Sequence, residues 1–420
     1  MSGLVKAKEH DVEDSNVENI GSDVDRNLKK KAAETEEAWK KAGEKPGLQI
    51  WRIEDFKVVP WPRAKYGEFH RGDSYIVLRT YKEPGSEELE HDLHFWLGKE
   101  STQDEMGTAA YKTVELDTLL DDKPVQYREV EGFESKLFKK CFGRITYLEG
   151  GVKSGFNHVE TNKDDRPPTM FELCGETEKD VSNDQVAKPS WDSLHSYSAF
   201  IIFIGRTIIR FYGSKCNKFE KWCASIYVGK HKSSNPRMME ADILIDGDDD
   251  LSRRVAQYQK QKKKDDEDGE YSEDEEDESR EDEAPELMEK LVSLLGEPPE
   301  NFDVKKNKEE EDVNKKKEVP CEEGFVKKLV CVERNKRTAK LEIDVVASGE
   351  DISKYTIDER FSYILDKGKE LFGYTGKKVD KKDKNNQMVY CNKYLCDKVN
   401  KHAPISTVKS LRKFEEKMRD

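Results

Sequence analysis

The sequence predicts an α+β protein built from three copies of one small repeat. Three short apolar runs have the character of buried strands, and each is followed by an aromatic-rich strand that ends in glycine. The runs are YIVL at 75–78, FIIFI at 200–204 and YILD at 363–366, and the glycines are Gly98, Gly213 and Gly376. An acid follows each glycine by seven residues, at Glu105, Glu220 and Asp383. We expect each acid to open a helix, so that the repeat reads strand, strand, long helix and further short strands.

The spacing inside the repeats supports a common register. Phe200 and Gly213 are 13 residues apart, and so are Tyr363 and Gly376. In the first repeat, the corresponding interval from Tyr75 to Gly98 is ten residues longer. The polar segment KEPGSEELEHD explains the extra length, because it would form a longer hairpin between the two strands. Its helix, predicted from about 102 to 120, carries a mostly apolar stripe near the 3.6-residue period. A repeat of roughly 100 residues is an ordinary domain size.

The composition is too polar for a single continuous core. Charged residues make up 39% of the chain and hydrophobic residues 35%, which favours small globular parts separated by solvated segments. No apolar run is long enough to span a membrane, and residues 1–10 lack the apolar core of a secretory signal. The eight cysteines form no CxxC pair and no metal-finger spacing. We therefore expect reduced thiols and a cytoplasmic protein.

One segment carries the whole net charge. Residues 265–286 contain fifteen acids and one arginine, a sum of −14 that equals the net charge of the chain. The balanced remainder gives little support for nucleic-acid binding. Because like charges repel and the segment lacks an apolar face, we predict a disordered acidic insert at about 246–284. The predicted domains are a charged tail at 1–45, repeat one at 46–160, repeat two at 161–297 with the insert, a charged linker at 298–320 and repeat three at 321–420.

Only repeat one keeps two acids in positions that suit a calcium ion. Asp73 lies two residues before the aromatic Tyr75 of the first strand, and Ser198 and Phe361 occupy the matching positions of the other repeats. Calcium takes several oxygen ligands, many of them carboxylates, from separate segments. Asp73 at a strand start and Glu105 in the first turn of a helix fit two of these. Gly72 and a later loop are candidates for main-chain carbonyl ligands.

The same two acids have a structural explanation. Thr102-x-x-Glu105 fits a capping box, in which the acid accepts a hydrogen bond from the backbone at the helix start. Gly-Asp is also a common turn pair, which explains Asp73 equally well. The residues alone therefore leave helix capping and calcium binding both open.

Other candidate sites are weaker. His91 and His94 in HDLHFW alternate with the period of a strand, and we interpret them as structural. Asp104, Glu105 and Asp117 are not accompanied by a nucleophile or a phosphate-binding glycine loop, so we do not expect an enzyme.

Longer stretches resemble the gelsolin/villin family. The segments KAGEKPGLQIWRIEDFKVVPWP, YGEFHRGDSYIVL and DLHFWLGKESTQDEMGTAAYKTVELD are similar to its first domain, over nearly all of 41–159. PSWDSLHSYSAFIIFIGRTIIRFYGSKCNKFEKWCA and PELMEKLVSLLG are similar to its second domain, and FSYILDKGKELFGYTGKKVD to its third. Three such domains resemble the severin, fragmin and CapG branch. The resemblance implies a central mixed β-sheet in each repeat, flanked by one long and one short helix.

The resemblance also implies ligands and a partner. The family's first domain binds actin through its long helix, which carries Gln103, Asp104, Met106, Gly107, Ala110 and Tyr111 here. One calcium ion lies inside that domain, and its ligands fall on Gly72, Asp73, Glu105 and Val152. A second calcium ion is shared with actin, and its ligands fall on Asp117 and on carbonyls near Asp122 and Pro124. The implied protein is a monomer with Ca²⁺ as its cofactor and actin as its partner.

Several positions depart from the family pattern. Ser198 and Phe361 remove an acid from repeats two and three, so we expect those calcium sites to be lost. Secreted members have a disulfide in the second domain, and Ala199 and Tyr212 stand at those positions. The basic stretch by which the second domain binds filaments is acidic here, at 174–184. Basic residues remain along and after its helix, at Lys218, Lys221, Lys230, Lys232 and Arg237.

A further departure concerns lipids. The phosphoinositide-binding stretch of the family keeps Lys139, Lys140 and Arg144 but lacks the later basic residues. The stretch is therefore a poor match for lipid regulation.

The resulting prediction is calcium-dependent actin binding, with severing of filaments and capping of their barbed ends in the cytoplasm. A related alternative is barbed-end capping or monomer binding without severing. An alternative of another class is a non-enzymatic scaffold that binds basic partners through its acidic insert.

Overall fold

The computed structural model describes most of the chain. It covers residues 30–31, 33–151, 167–234, 241–267, 283–308, 324–335, 341–380, 383, 386–396, 398 and 401–420. The chain forms two compact units: unit A contains 1–66, 71–141 and 319–420, and unit B contains 67–70 and 142–318. Within the described ranges, no helix is long and apolar enough to cross a lipid bilayer.

Each repeat contributes a similar series of elements. Repeat one has β1 Gly47–Glu54, β2 Lys57–Pro60, β3 Glu68–His70, β4 Ser74–Lys82, β5 Leu89–Leu97, α1 Gln103–Leu119, β6 Val125–Val130, α2 Lys136–Lys140 and β7 Thr146–Leu148. Repeat two has β8 Thr169–Cys174, β9 Ser182–Gln185, β10 Ala199–Ile204, β11 Thr207–Tyr212, α3 Lys218–Ser234, β12 Ala241–Asp246, α4 Asp248–Glu267 and α5 Glu283–Leu295. Repeat three has β13 Lys328–Arg334, β14 Leu341–Ser348, β15 Ser362–Asp366, β16 Leu371–Thr375, α6 Gln387–Cys396, β17 Ile405–Val408 and α7 Leu411–Arg419.

The strands form two mixed sheets. Unit A holds a ten-stranded sheet in the order β14-β13-β15-β16-β17-β6-β5-β4-β1-β2, which joins repeats one and three edge to edge. The junction is antiparallel, with Ile405 opposite Arg128. Unit B holds a seven-stranded sheet in the order β12-β11-β10-β8-β9-β7-β3. These mixed sheets with helices confirm the α+β class.

A hydrogen bond repeated three times confirms the predicted register. In each repeat, the glycine N–H donates to the carbonyl of the residue directly before β4, β10 or β15. These bonds run from Gly98 to Asp73 at 3.0 Å, from Gly213 to Ser198 at 3.2 Å and from Gly376 to Phe361 at 3.1 Å. The chain passes so closely here that a Cβ on Gly98 would lie 2.1 Å from the carbonyl oxygen of Arg71, which excludes any side chain. The three glycines are therefore equivalent.

Helix α1 packs its apolar stripe on the sheet of unit A. Ala109 and Leu116 are fully buried, and they share a core with Ile76, Leu78 and Phe95 of β4 and β5. This packing leaves the opposite stripe of α1 toward solvent.

The predicted acidic insert at 246–284 includes a helix. Helix α4 lies inside the predicted range 246–284, and its residues Leu251 and Val255 are buried against Leu287 and Met288 of α5. Apolar residues four positions apart give this helix an apolar face. The many charged residues in its second half hide this pattern in the sequence. Residues 268–282, which hold most of the acids, lie outside the described residues.

Two further boundaries need correction. Val304, inside the predicted linker 298–320, is fully buried in the core of repeat two, so the segment up to residue 308 packs as part of that repeat. In repeat three, α6 begins at Gln387, so Asp383 does not open a helix as predicted. The part of the linker at 309–320 lies outside the described residues.

Candidate functional site

Asp73 is a buried acid at the start of β4. Its side chain is fully buried, and Arg52 Nη2 on the neighbouring strand β1 lies 2.9 Å from its Oδ2. The antiparallel register places Arg52 opposite Tyr75, which brings the guanidinium beside Asp73, the residue directly before the strand. The carbonyl of Asp73 accepts the Gly98 hydrogen bond, so main chain and side chain are both held in place.

Glu105 caps helix α1, as the capping-box pattern predicts. The Thr102 N–H donates to Glu105 Oε2 at 3.2 Å, and the Glu105 N–H donates to Thr102 Oγ1 at 3.3 Å. Ser101 Oγ also donates to Oε2 at 3.4 Å and lies 2.8 Å from Ser74 Oγ, next to Asp73. Two serine hydroxyls therefore connect the first turn of α1 to the start of β4.

The surroundings of these acids suit a hard cation. Asp73 is fully buried and Glu105 is 3% exposed, and the hydroxyls of Ser74 and Ser101 provide further oxygen atoms between them. Calcium prefers such an all-oxygen set. Among the described residues, no group of three or more His, Cys, Asp or Glu side chains could hold a metal ion, so a site here depends on main-chain carbonyls. Gly72 adjoins Asp73, whereas Val152 lies outside the described residues.

The residues predicted to share an ion with actin also lie close together. Asp117, in the last turn of α1, accepts the Asp122 N–H on its carbonyl at 2.9 Å, and Pro124 follows directly before β6. The Asp117 carboxylate is buried, and Gln126 Nε2 donates to its Oδ2 at 2.7 Å. Lys409 of repeat three lies 3.8 Å from the same oxygen.

The residues predicted to bind actin on α1 share one solvent-facing stripe. Gln103, Asp104, Gly107 and Tyr111 are exposed, and Met106 and Ala110 are half-buried beside them. Positions 103, 107 and 111 follow the four-residue spacing of one helix face. Half of Tyr111 is accessible, so its ring is available to a partner.

The second half of α1 is covered by a segment that the sequence assigned to the charged tail. Trp39, only 2% exposed, donates its Nε1–H to Glu115 Oε1 at 2.9 Å. Lys112 Nζ bridges Glu36 at 3.2 Å and Glu115 at 3.0 Å. These partners raise the pKa of Lys112, although burial, the largest single effect on it, acts in the opposite direction. The tail thus joins the folded part well before residue 45.

Helix α3 of repeat two presents a second surface. Lys218 and Lys230 are exposed, and Lys221 lies 3.1 Å from Asp246, while Arg237 lies outside the described residues. Sequence reasoning missed Trp222 and Ile226 on this helix, which are 47% and 43% exposed. The buried stripe of the helix contains Cys223, Ala224 and Val228. A tryptophan and an isoleucine four residues apart lie outside that stripe, and this spacing is the sequence pattern that indicates an exposed apolar face.

Comparisons with known proteins identify the family of this chain. Residues 55–139 match the family model described as Gelsolin repeat. Gelsolin-like protein 1 of Lumbricus terrestris is 47% identical over 247 residues, which are 58% of this chain and 66% of that protein. Severin of Echinococcus granulosus is 44% identical over 254 residues, which are 59% of this chain and 67% of that protein. The chain belongs to the gelsolin family. It spans about two thirds of the length of these two relatives.

In this gelsolin-family chain, the equivalent acids of repeats two and three have structural partners. Glu220 accepts hydrogen bonds from the N–H groups of Gly175 at 3.0 Å and Asn217 at 3.1 Å. Ser198 Oγ donates to Glu172 at 3.1 Å. In repeat three, Arg334 Nε lies 2.8 Å from Asp383 Oδ1, so a guanidinium supplies the positive charge next to that acid.

Three further positions have structural partners. His94 Nδ1 lies 2.9 Å from Glu129 Oε1 in a fully buried pair, which agrees with the structural interpretation of that histidine. Ala199 and Tyr212 face each other across β10 and β11, as the disulfide positions of the family would require. Arg144, from the stretch compared with phosphoinositide-binding sites, donates to the Cys223 carbonyl at 2.7 Å.

Proposed function

We propose that this gelsolin-family chain is a calcium-regulated actin-binding protein that severs filaments and caps their barbed ends. The observation that carries the proposal is the solvent-facing stripe of α1, which begins at the same turn that Glu105 caps. A relative that is 44% identical is named severin, which supports the severing activity. The role is binding rather than catalysis, and the expected location is the cytoplasmic cytoskeleton.

The α1 stripe has the composition of a helix that enters a groove. Gly107 and Ala110 allow a partner surface to approach the helix backbone, and Met106 and Tyr111 supply apolar contact area. Tyrosine is enriched among residues that dominate the binding energy of protein interfaces, so we assign to Tyr111 the largest contribution to actin binding. Gln103 and Asp104 provide polar contacts at the edge.

Asp73, Glu105 and the Gly72 carbonyl would hold the calcium ion. When bound, it would supply positive charge to two buried carboxylates. In this structure Arg52 neutralises Asp73, and the helix start and Ser101 stabilise Glu105. Such a ligand can shift a conformational equilibrium only by the difference in its affinity for the two states.

The junction between repeats one and three would take part in the regulation. Thr407 of β17 accepts the Gln126 N–H at 2.9 Å and donates to its carbonyl at 3.2 Å, beside Asp117. Asp117 is only 3% exposed in this arrangement. Actin could share an ion with Asp117 only after β17 and Lys409 had moved away from β6, so we infer that activation opens this junction.

Severing requires a second contact that holds the filament side. We assign it to the exposed face of α3, which combines Trp222 and Ile226 with Lys218, Lys221 and Lys230. Aromatic and basic residues together suit the apolar and acidic groups of a protein partner.

Fluorescence of pyrene-labelled actin tests the proposal. With calcium, the protein should speed the loss of diluted filaments and block growth from barbed ends. A protein that only caps would slow depolymerisation after dilution, and that result would favour capping or monomer binding without severing. If neither filament loss nor barbed-end growth responds, the proposal fails. The scaffold alternative would then be tested by deleting residues 268–282.

A further inference from the structure

Strand β14 forms one edge of the ten-stranded sheet of unit A. It pairs with β13 alone and is eight residues long. The other edge strands in the described part of the chain are shorter, with four residues in β2, three in β3 and six in β12. Because an edge strand presents a row of N–H and C=O groups to solvent, β14 offers main-chain hydrogen bonds to an added strand.

One face of this edge is apolar. Leu341 and Ile343 of β14 pack against the core that contains Val330 and Val332 of β13. Val345, the next residue on the same face, lies opposite Val330 and is 59% exposed. The apolar core of unit A therefore reaches the edge of the sheet and is incompletely covered there.

The other face of the edge is acidic. Glu342 and Asp344 of β14 are exposed, and the exposed Glu333 of β13 lies directly opposite Glu342. Within the described residues, none of these three acids forms an ion pair, and the neighbouring Arg334 pairs instead with Asp383. Like charges that lie opposite each other destabilise a sheet. A positively charged neighbour would therefore relieve a repulsion that is built into this edge.

The charge pattern determines which kind of strand suits the edge. A second copy of β14 would bring its own Glu342 and Asp344 to the acidic face of a continuous sheet, where like charges repel. Side chains alternate between the two faces of a strand. A strand with a basic residue at every second position would place these charges beside the acids, and its intervening apolar residues would extend the apolar face.

We propose that β14 is a docking site for an extended segment of a partner protein in which basic and apolar residues alternate. The main chain of the segment would pair with β14 and provide affinity, and the alternating side chains would provide specificity. The site uses none of the residues assigned to actin binding on α1 and α3, so it does not depend on the proposed function.

Hydrogen exchange of the full-length protein tests the proposal. The probes are two capped peptides as long as β14: the lysine peptide alternates lysine with valine, and the glutamate peptide alternates glutamate with valine. The test variant is Glu342→Lys with Asp344→Lys. The control, Glu176→Lys with Glu178→Lys, makes the same charge change at exposed positions between β8 and β9. Urea unfolding establishes that each protein is folded, and Glu342→Lys should not destabilise because it places an opposite charge across from Glu333.

We expect the lysine peptide to slow exchange at residues 341–348 in the wild type and in the control, because added main-chain hydrogen bonds protect N–H groups. The test variant should bind this peptide about tenfold more weakly, since two attractive pairs become repulsive. The glutamate peptide should protect residues 341–348 in the test variant alone. Protection at β14 also distinguishes this site from attraction of the lysine peptide to the acidic residues 265–286.

Three results would overturn the proposal. The first is unchanged exchange at residues 341–348 of the wild type when the lysine peptide is added. The second is equal protection of the wild type and the test variant by that peptide. The third is protection that grows with protein concentration without any peptide, which would identify a second copy of the chain as the occupant.

Discussion

Arg52 Nη2 lies 2.9 Å from Asp73 Oδ2, and the two side chains are only 13% and 0% exposed. The contact joins β1 to the start of β4, directly beside the serine pair that leads to Glu105. A guanidinium therefore holds the acid that the family resemblance assigns to calcium. Because a charge removed from water is costly without its partner, Asp73 should be important for stability, and the proposed calcium site would use the same carboxylate.

Removing Asp73 should destabilise the calcium-free protein. We expect Asp73→Ala to lower the free energy of unfolding by about 3 kcal/mol, because Arg52 would lose its partner while shielded from water. Urea denaturation in a chelating buffer measures this. Arg52→Met with Asp73→Ala should recover part of the loss. Strictly additive effects of the two substitutions would show that the pair contributes no coupling.

Glu105→Gln separates helix capping from calcium binding. Glutamine can accept the same capping hydrogen bond, so we expect little change in unfolding without calcium. A ligand at a hundredfold excess over its Kd stabilises by about 2.7 kcal/mol, and we expect this calcium-induced gain in the wild type but not in Glu105→Gln.

Thr102→Ala is the complementary control. This substitution should lower the free energy of unfolding by about 1 kcal/mol, because the helix loses its cap. The stabilisation by calcium should remain unchanged. Scanning calorimetry with and without calcium reads both effects. An unchanged calcium gain in Glu105→Gln would remove that residue from the ligand set.

Much of the fold could be predicted because strand composition and glycine spacing are local properties. The register of Asp73, Ser198 and Phe361 agrees with three equivalent backbone hydrogen bonds. The helix inside the predicted insert was missed because its apolar face, with Leu251, Val255 and Tyr258, is short and lies among many charges. Helix propensity and charge counts do not reveal which residues such a short apolar helix face packs against.

The candidate site was predicted less completely. The acids and the cap were accessible from sequence spacing, but their partners are non-local. Arg52, Lys409 and Trp39 reach Asp73, Asp117 and Glu115 only through sheet register and tertiary packing. A single sequence gives no distance between such residues, so the electrostatic surroundings of the site had to come from the structure.

The repeated glycines should resist substitution. We expect Gly376→Ala to destabilise the protein by more than 3 kcal/mol, since its Cβ would lie 2.2 Å from the Glu359 carbonyl oxygen and the backbone must shift. Gly229→Ala on the exposed face of α3 is the matched control. It meets nothing within 4 Å and should stabilise by up to about 1 kcal/mol. Similar urea midpoints for both variants would contradict the close approach.

Buried tyrosines should make the fold sensitive to alkali. Burial, followed by the hydrogen bond to Asp383, raises the pKa of Tyr390 to about 12. Because the unfolded phenol ionises near pH 10, the contribution is fully present below that pH and is lost as pH rises through 12. Tyr390→Phe should reduce the slope of unfolding free energy between these values, by at most about 1.4 kcal/mol per pH unit. An identical slope in wild type and variant would refute the assignment.

The exposed face of α3 should matter for filaments and not for folding. We expect Trp222→Ala with Ile226→Ala to weaken co-sedimentation with filamentous actin about tenfold or more, because large apolar groups dominate protein contacts. Both side chains are more than 40% exposed, so the unfolding free energy should change by less than about 0.5 kcal/mol. Val345→Ala, at a 59% exposed position on β14, is the control and should bind as the wild type does. Unchanged sedimentation of the α3 variant would place the filament-side contact elsewhere, while barbed-end capping through α1 would still stand.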